Sequence, residues 1–86
     1  MPRPKYDEVA KQFDLVSGRA AQAHDSKIAA RARGNVGAAQ FAMHQYRATL
    51  GSFLNARRLA ESAGDANILA MLDANLASLY TEMGRL

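Results

Sequence analysis

The sequence predicts an all-α chain of stacked antiparallel helical hairpins. Three observations predict it. Apolar residues recur three and four apart along almost the whole chain, and no segment alternates apolar and polar with period two. Both prolines, Pro2 and Pro4, lie at the start, so nothing later breaks a helix as proline would. The chain also nearly repeats itself at an offset of 40. Tyr6 falls on Tyr46, Phe13 on Phe53, Ala20 on Ala60, Ala23 on Ala63, Asp25 on Asp65, Ile28 on Ile68, Ala30 on Ala70, Asn35 on Asn75 and Met43 on Met83, without a gap. A period of this size marks a supersecondary unit that cannot bury its apolar face alone and stacks on a neighbour.

Four helices are expected, near 5–22, 27–43, 46–63 and 66–83. The first carries Tyr6, Val9, Ala10, Phe13, Val16 and Ala20. Asp25-Ser26 is a stop and restart, because either side chain can cap the next helix. The second carries Ala29, Ala32, Val36, Ala39 and Met43, and His44-Gln45 closes it. Its Gly34 and Gly37, beside Ala38 and Ala39, would each cost about 1 kcal/mol relative to alanine; close approach of a neighbouring helix is the compensation expected. The third carries Tyr46, Leu50, Phe53, Ala56 or Arg57, Ala60 and Ala63. Gly64-Asp65 ends it and caps the fourth, which carries Leu69, Leu72, Leu76, Leu79 and Met83 before Gly84. Phe53 and Phe13 share one phase and are expected in the core. Short connections force antiparallel neighbours.

Eighty-six residues make one small domain. There is no cysteine, which excludes a disulfide framework and cysteine-ligated zinc. No apolar run approaches the roughly 20 residues of a membrane span, and the first residues lack the apolar stretch of a signal peptide. A cytoplasmic address and no membrane contact are expected. The net charge of +3 is unevenly spread. Residues 19–58 hold Arg19, Lys27, Arg31, Arg33, Arg47, Arg57 and Arg58 against Asp25 alone, whereas residues 59–86 hold Arg85 against Glu61, Asp65, Asp73 and Glu82. A basic middle beside an acidic end can attract acidic partners or a second copy, but solvated helix faces are the simpler reading.

No catalytic constellation emerges, and neither a cofactor nor a metal is expected. His24 and His44 lie at turns with no acidic pair at ligand spacing. No serine sits in a nucleophile-elbow context, and Gly34-Asn35-Val36-Gly37 follows no strand that would make it a phosphate loop. Arg57-Arg58 and Arg31-x-Arg33 invite nucleic acid. Yet Arg57 and Arg58 point about 100° apart on a helix, and most aromatics stand at core spacing. Nucleic acid is therefore not the expected partner.

The segment Asn35-Val36-Gly37-Ala38-Ala39, then Met43-His44-Gln45-Tyr46, Phe53, Ala56 and Ala63-Gly64-Asp65, resembles a tetratricopeptide repeat. Asn75-Leu76-Ala77-Ser78-Leu79-Tyr80 and Met83-Gly84-Arg85-Leu86 resemble the first helix of the next unit. The length is similar to the longer bacterial variant of about 40 residues. Three positions depart from its pattern: Gln40 replaces the aromatic matched by Tyr80, His44 replaces the turn glycine matched by Gly84, and Thr49 stands where alanine is usual. The resemblance implies a tail over 1–4 and a right-handed four-helix α-solenoid over 5–86. This divides into a half repeat 5–25, a full repeat 26–65 and a half repeat 66–86, and looks like a piece of a longer array.

It also implies a non-catalytic scaffold for a protein or peptide. The first helix of each unit would line a concave groove, through Arg31, Asn35, Ala38 and Phe41 from one and Met71, Asn75, Ser78 and Glu82 from the next. Asparagines at 35 and 75 would clamp a peptide backbone, since an amide donates and accepts at once; each could instead bond a neighbouring helix. The lysines of a carboxylate clamp are absent from the last helix. The alternative is self-association. Ile68, Leu69, Leu72, Leu76, Leu79 and Tyr80 make the last helix the most apolar, and with no helix after it one flank is expected to meet water and to seek a homodimer.

Overall fold

Two of the three described helices begin where an aspartate carboxylate caps them. The structure is a computed structural model and describes residues 25–85. The tail 1–4, the predicted helix 5–22, His24 and Leu86 lie outside the described residues. Over residues 25–85 the chain is all-helical, with α1 (Ser26–Ala42), α2 (Tyr46–Ala63) and α3 (Ala66–Met83). The Asp25 carboxylate accepts from the Ile28 amide at 3.2 Å and the Asp65 carboxylate from the Ile68 amide at 3.0 Å. The same device thus recurs at the 40-residue offset, each time satisfying one of the orphan amides of a helix start. Asp25, not Ser26, is the cap of α1, so that helix starts one residue earlier than predicted.

The connections are brief. After α1, the His44 amide donates to the Phe41 carbonyl and the Gln45 amide to the Gln40 carbonyl, both at 2.9 Å. His44 takes φ 61, a left-handed conformation usually left to glycine. Its Nδ1 lies 2.9 Å from the Tyr46 hydroxyl, and the two rings meet edge-on at 5.8 Å. After α2, Gly64 takes φ 65 and the Asp65 amide reaches the Ala60 carbonyl. Gly84, matched to His44 in the sequence, ends α3 at φ −69 and needs no glycine freedom.

Contacts fix the directions. From the turn outward Phe41 meets Tyr46, then Gln40 meets Ser52 and Gly37 meets Phe53, so α1 and α2 run antiparallel. Lys27 pairs with Asp65 and Gly34 meets Leu72, so α1 and α3 run parallel. Gly37 is required: a Cβ there would sit 2.5 Å from Phe53 Cε1 and 3.2 Å from Ser52 Cβ. Beside this contact the Ser52 hydroxyl donates to Gln40 Oε1 at 2.7 Å, which explains an amide in place of an aromatic. Thr49 is fully buried and returns its hydroxyl to the Gln45 carbonyl at 2.8 Å, so its polar atom is satisfied inside α2.

Phe53, Ala56 and Ala60 of α2, Ala30 of α1, and Ile68, Leu72, Leu76 and Leu79 of α3 form one core. This corrects the expectation that Leu72, Leu76 and Leu79 meet water, while the last helix keeps an exposed flank at Tyr80. Leu72 and Leu79 are 0% exposed, Ile68 4% and Leu76 7%, while Leu69 is half-buried and Tyr80 alone of that set is exposed. The reason is close approach. Leu72 Cδ2 packs on α1 at Gly34, 3.6 Å from where a Cβ would be and so with room for one, and Ala56 and Ala60 keep the facing side of α2 low. The leucine stripe therefore sinks into the notch between α1 and α2. Burying a leucine-sized side chain contributes about 1.5–3 kcal/mol, which makes this seat the main hold on α3.

Candidate groove between α1 and α3

Parallel helices of matched register bring equivalent residues side by side. Two depressions lie along the seam of α1 and α3. The larger, 340 Å³, is lined by Arg31, Asn35, Asn67, Ile68 and Met71. The smaller, 190 Å³, is lined by Ala38, Phe41, Phe53, Asn75 and Ser78. Arg31, Asn35, Ala38 and Phe41 of the sequence-selected set therefore face Met71, Asn75 and Ser78 across one seam. Glu82 lines neither depression; its carboxylate pairs with Arg85 at 3.2 Å.

The sequence reading missed Asn67, Ile68 and the edge of Phe53. Asn67 stands four residues before Met71, on the same stripe one turn earlier, so the spacing itself was the available signal. Phe53 belongs to α2 and reaches the groove floor because Gly37 leaves space above its ring. It remains a core residue, 3% exposed.

The groove is amphipathic. Met71 is 48% exposed and offers a flexible thioether surface. Asn35 is exposed and Asn75 half-buried, and neither amide makes a hydrogen bond among the described residues. Their donors and acceptors are therefore not used up by the described helices. At the helix starts Lys27 reaches Asp65 at 3.6 Å. The Asp65 carboxyl is held below the usual carboxylate range, first by the Ile68 amide bonded to it and then by Lys27 and Arg31, against the opposing effect of its partial burial. Arg31 makes no ion pair among the described residues and leaves a cationic group beside Asn35.

The acidic end is paired within the chain. Arg57 bonds Asp73 at 2.9 Å and lies 3.5 Å from Glu61, and the Asp73 bond is the first cause of its raised pKa. With Lys27–Asp65 and Arg85–Glu82, every acidic residue of 59–86 has a basic partner. These pairs are exposed in part and contribute little to stability. Arg57, half of the Arg57-Arg58 pair, is engaged in them. His44 sits against Tyr46, and among the described residues no three His, Asp or Glu side chains gather into a group that would hold a metal ion. No described helix is long and apolar enough to cross a membrane. No family model, curated protein or solved structure matches this chain.

Proposed function

We propose that the chain is a non-catalytic binding module of the tetratricopeptide type, and that its α1–α3 groove takes an extended peptide. The observation that carries this reading is the convergence of seven sequence-selected residues, Arg31, Asn35, Ala38, Phe41, Met71, Asn75 and Ser78, on two adjoining depressions. Both asparagine amides stand ready to pair with a peptide unit, whose carbonyl takes the amide N–H and whose N–H meets the amide oxygen. The larger depression suits an apolar side chain against Met71 and Ile68, with Arg31 at its rim. An extended ligand on matched asparagines gains backbone bonds that are independent of its sequence, and side-chain fit in the depressions supplies selectivity.

The four-helix solenoid belongs to this same reading. It is supported by the repeated aspartate cap, the parallel α1 and α3, and the leucine seat of α3. The self-association reading through Ile68, Leu72, Leu76 and Leu79 has lost its exposed leucines, which are committed to the core.

The test is a display library of unstructured peptides selected on the 86-residue chain, followed by titration of the selected peptides. Asn35→Ala and Asn75→Ala each remove hydrogen bonds that contribute about 0.5–1.5 kcal/mol, so each should weaken binding about two- to tenfold. Met71→Ala should change which peptides are selected. Selected peptides that bind both asparagine variants and Met71→Ala as tightly as the parent would overturn the assignment of the groove.

A further inference from the structure

A second interaction surface lies on α3, on the side away from the groove. At the 40-residue offset, Ala30, Gly34, Gly37, Gln40 and Phe41 of α1 correspond to Ala70, Ala74, Ala77, Tyr80 and Thr81 of α3. In α1 the first three are buried and the other two half-buried, covered by α2 and α3. In α3 all five are exposed, Tyr80 to 54%. Among the described residues, one helix of the repeat therefore has a neighbour on this face and its equivalent has none.

The sequence names the occupant that matches. At Gly37, Gln40 and Phe41 the cover on α1 is α2, through Phe53, Ser52 and Tyr46, while Gly34 meets Leu72 of α3. The segment of this chain with the pattern of α2 is 5–22, where Tyr6 aligns with Tyr46, Phe13 with Phe53 and Ala20 with Ala60. The helix α2 also serves two neighbours at once, α1 through Phe53 and α3 through Arg57, so a segment of this pattern has a side for each. We infer that a second copy of this chain docks head to tail, its 5–22 segment lying on the Ala70–Ala74–Ala77–Tyr80 flank of α3 as α2 lies on α1. Gln12 takes the place of Ser52 and Tyr80 that of Gln40, so a polar pair is available again.

Two features of the contact follow. It joins unlike surfaces, so each added copy leaves a fresh α3 flank and the series does not close at two. It is also looser than the internal one. A Cβ at Gly37 would lie 2.5 Å from the Phe53 ring, and Ala77 has that Cβ, so an incoming ring must stand further out. Association is therefore weak, and it leaves the groove face of α3, at Met71, Asn75 and Ser78, uncovered.

Sedimentation equilibrium of the 86-residue chain from about 10 µM to about 1 mM, the range of weak association, tests this. The mean mass should climb past two copies. Ala77→Arg, on an exposed helical position, should keep the helical spectrum and weaken association about tenfold or more. Mixed with the parent chain, Ala77→Arg should lower the mean mass, because it still offers its 5–22 segment but accepts none. A synthetic peptide of residues 3–24 should do the same by capping α3. A mass that stays constant over the range, stops at two copies, or is equal in Ala77→Arg and parent would overturn the inference, as would a mixed series that Ala77→Arg fails to terminate.

Discussion

Replacing Gly37 with alanine should destabilise the chain, although alanine is the better helix former. Away from any neighbour the change would gain about 0.8–1 kcal/mol, because glycine loses more backbone freedom on entering a helix. Here the new Cβ would meet Phe53 Cε1 at 2.5 Å and Cδ1 at 2.6 Å, with Ser52 Cβ at 3.2 Å behind them. The ring is 3% exposed and shares its core with Ala56 and Leu76, so it cannot swing into water. Either the ring leaves its rotamer or α1 and α2 part, and overpacking of this kind costs about 1–3 kcal/mol. The net loss is therefore about 1 kcal/mol, or about 4–8 °C in Tm for a domain of this size. Gly34→Ala and Gly51→Ala are the controls. A Cβ at Gly34 meets only Leu72 Cδ2, at 3.6 Å, and one at Gly51 meets nothing within 4 Å. Both should raise Tm. Thermal melts of the three variants should thus split in sign, and Gly37→Ala with Phe53→Leu should recover part of the loss, since the two sites share one contact. A Gly37→Ala chain that melts at or above the parent would refute the close-approach argument.

Three further outcomes can be checked by melts. Phe53→Ala should cost about 3–5 kcal/mol, because it empties the centre of the core; a Tm within a degree or two of the parent would remove Phe53 from that role. Gly64→Ala should cost about 1–2 kcal/mol from the left-handed conformation alone, since a Cβ there touches nothing within 4 Å. Asp65→Asn should keep the cap and lose its pH dependence. The folded carboxyl lies below its ordinary value, so its contribution is whole at neutral pH and is lost as pH falls from about 3.9 through the depressed value. Tm followed from neutral to strongly acid pH should therefore fall less steeply in Asp65→Asn than in the parent.

How far the sequence could be read depended on which physical signal a feature uses. Aspartate caps and a glycine turn are local, so the predicted 46–63 and 66–83 coincide with α2 and α3, and the start of α1 is off by one residue. The groove was legible because register carries it: Arg31, Asn35 and Ala38 stand 40 residues from Met71, Asn75 and Ser78. The fate of the leucines was not. Leu72 and Leu76 look like an orphan stripe until the depth of the notch is known, and that depth is set by the short side chains of Ala56 and Ala60. Backbone conformation was equally hidden. Gly84 marks the turn in one copy, but the left-handed residue is His44 in the other.

Among the described residues, α2 is the only broad support shared by α1 and α3, which touch each other over a short stretch alone. The groove is thus a gap whose width is set at two joints. One, α1 on α2, is locked by the Phe53 ring against bare backbone at Gly37. The other, α2 on α3, rests on branched leucines over alanines, a contact that slides more readily than a ring pressed on a backbone. Aperture changes should therefore come from α3 turning on α2, with the α1–α2 hairpin as the fixed jaw. A ligand that spans Asn35 and Asn75 adds a third side to a two-sided frame, and its grip should be felt as slowed amide exchange along α3 more than along α1.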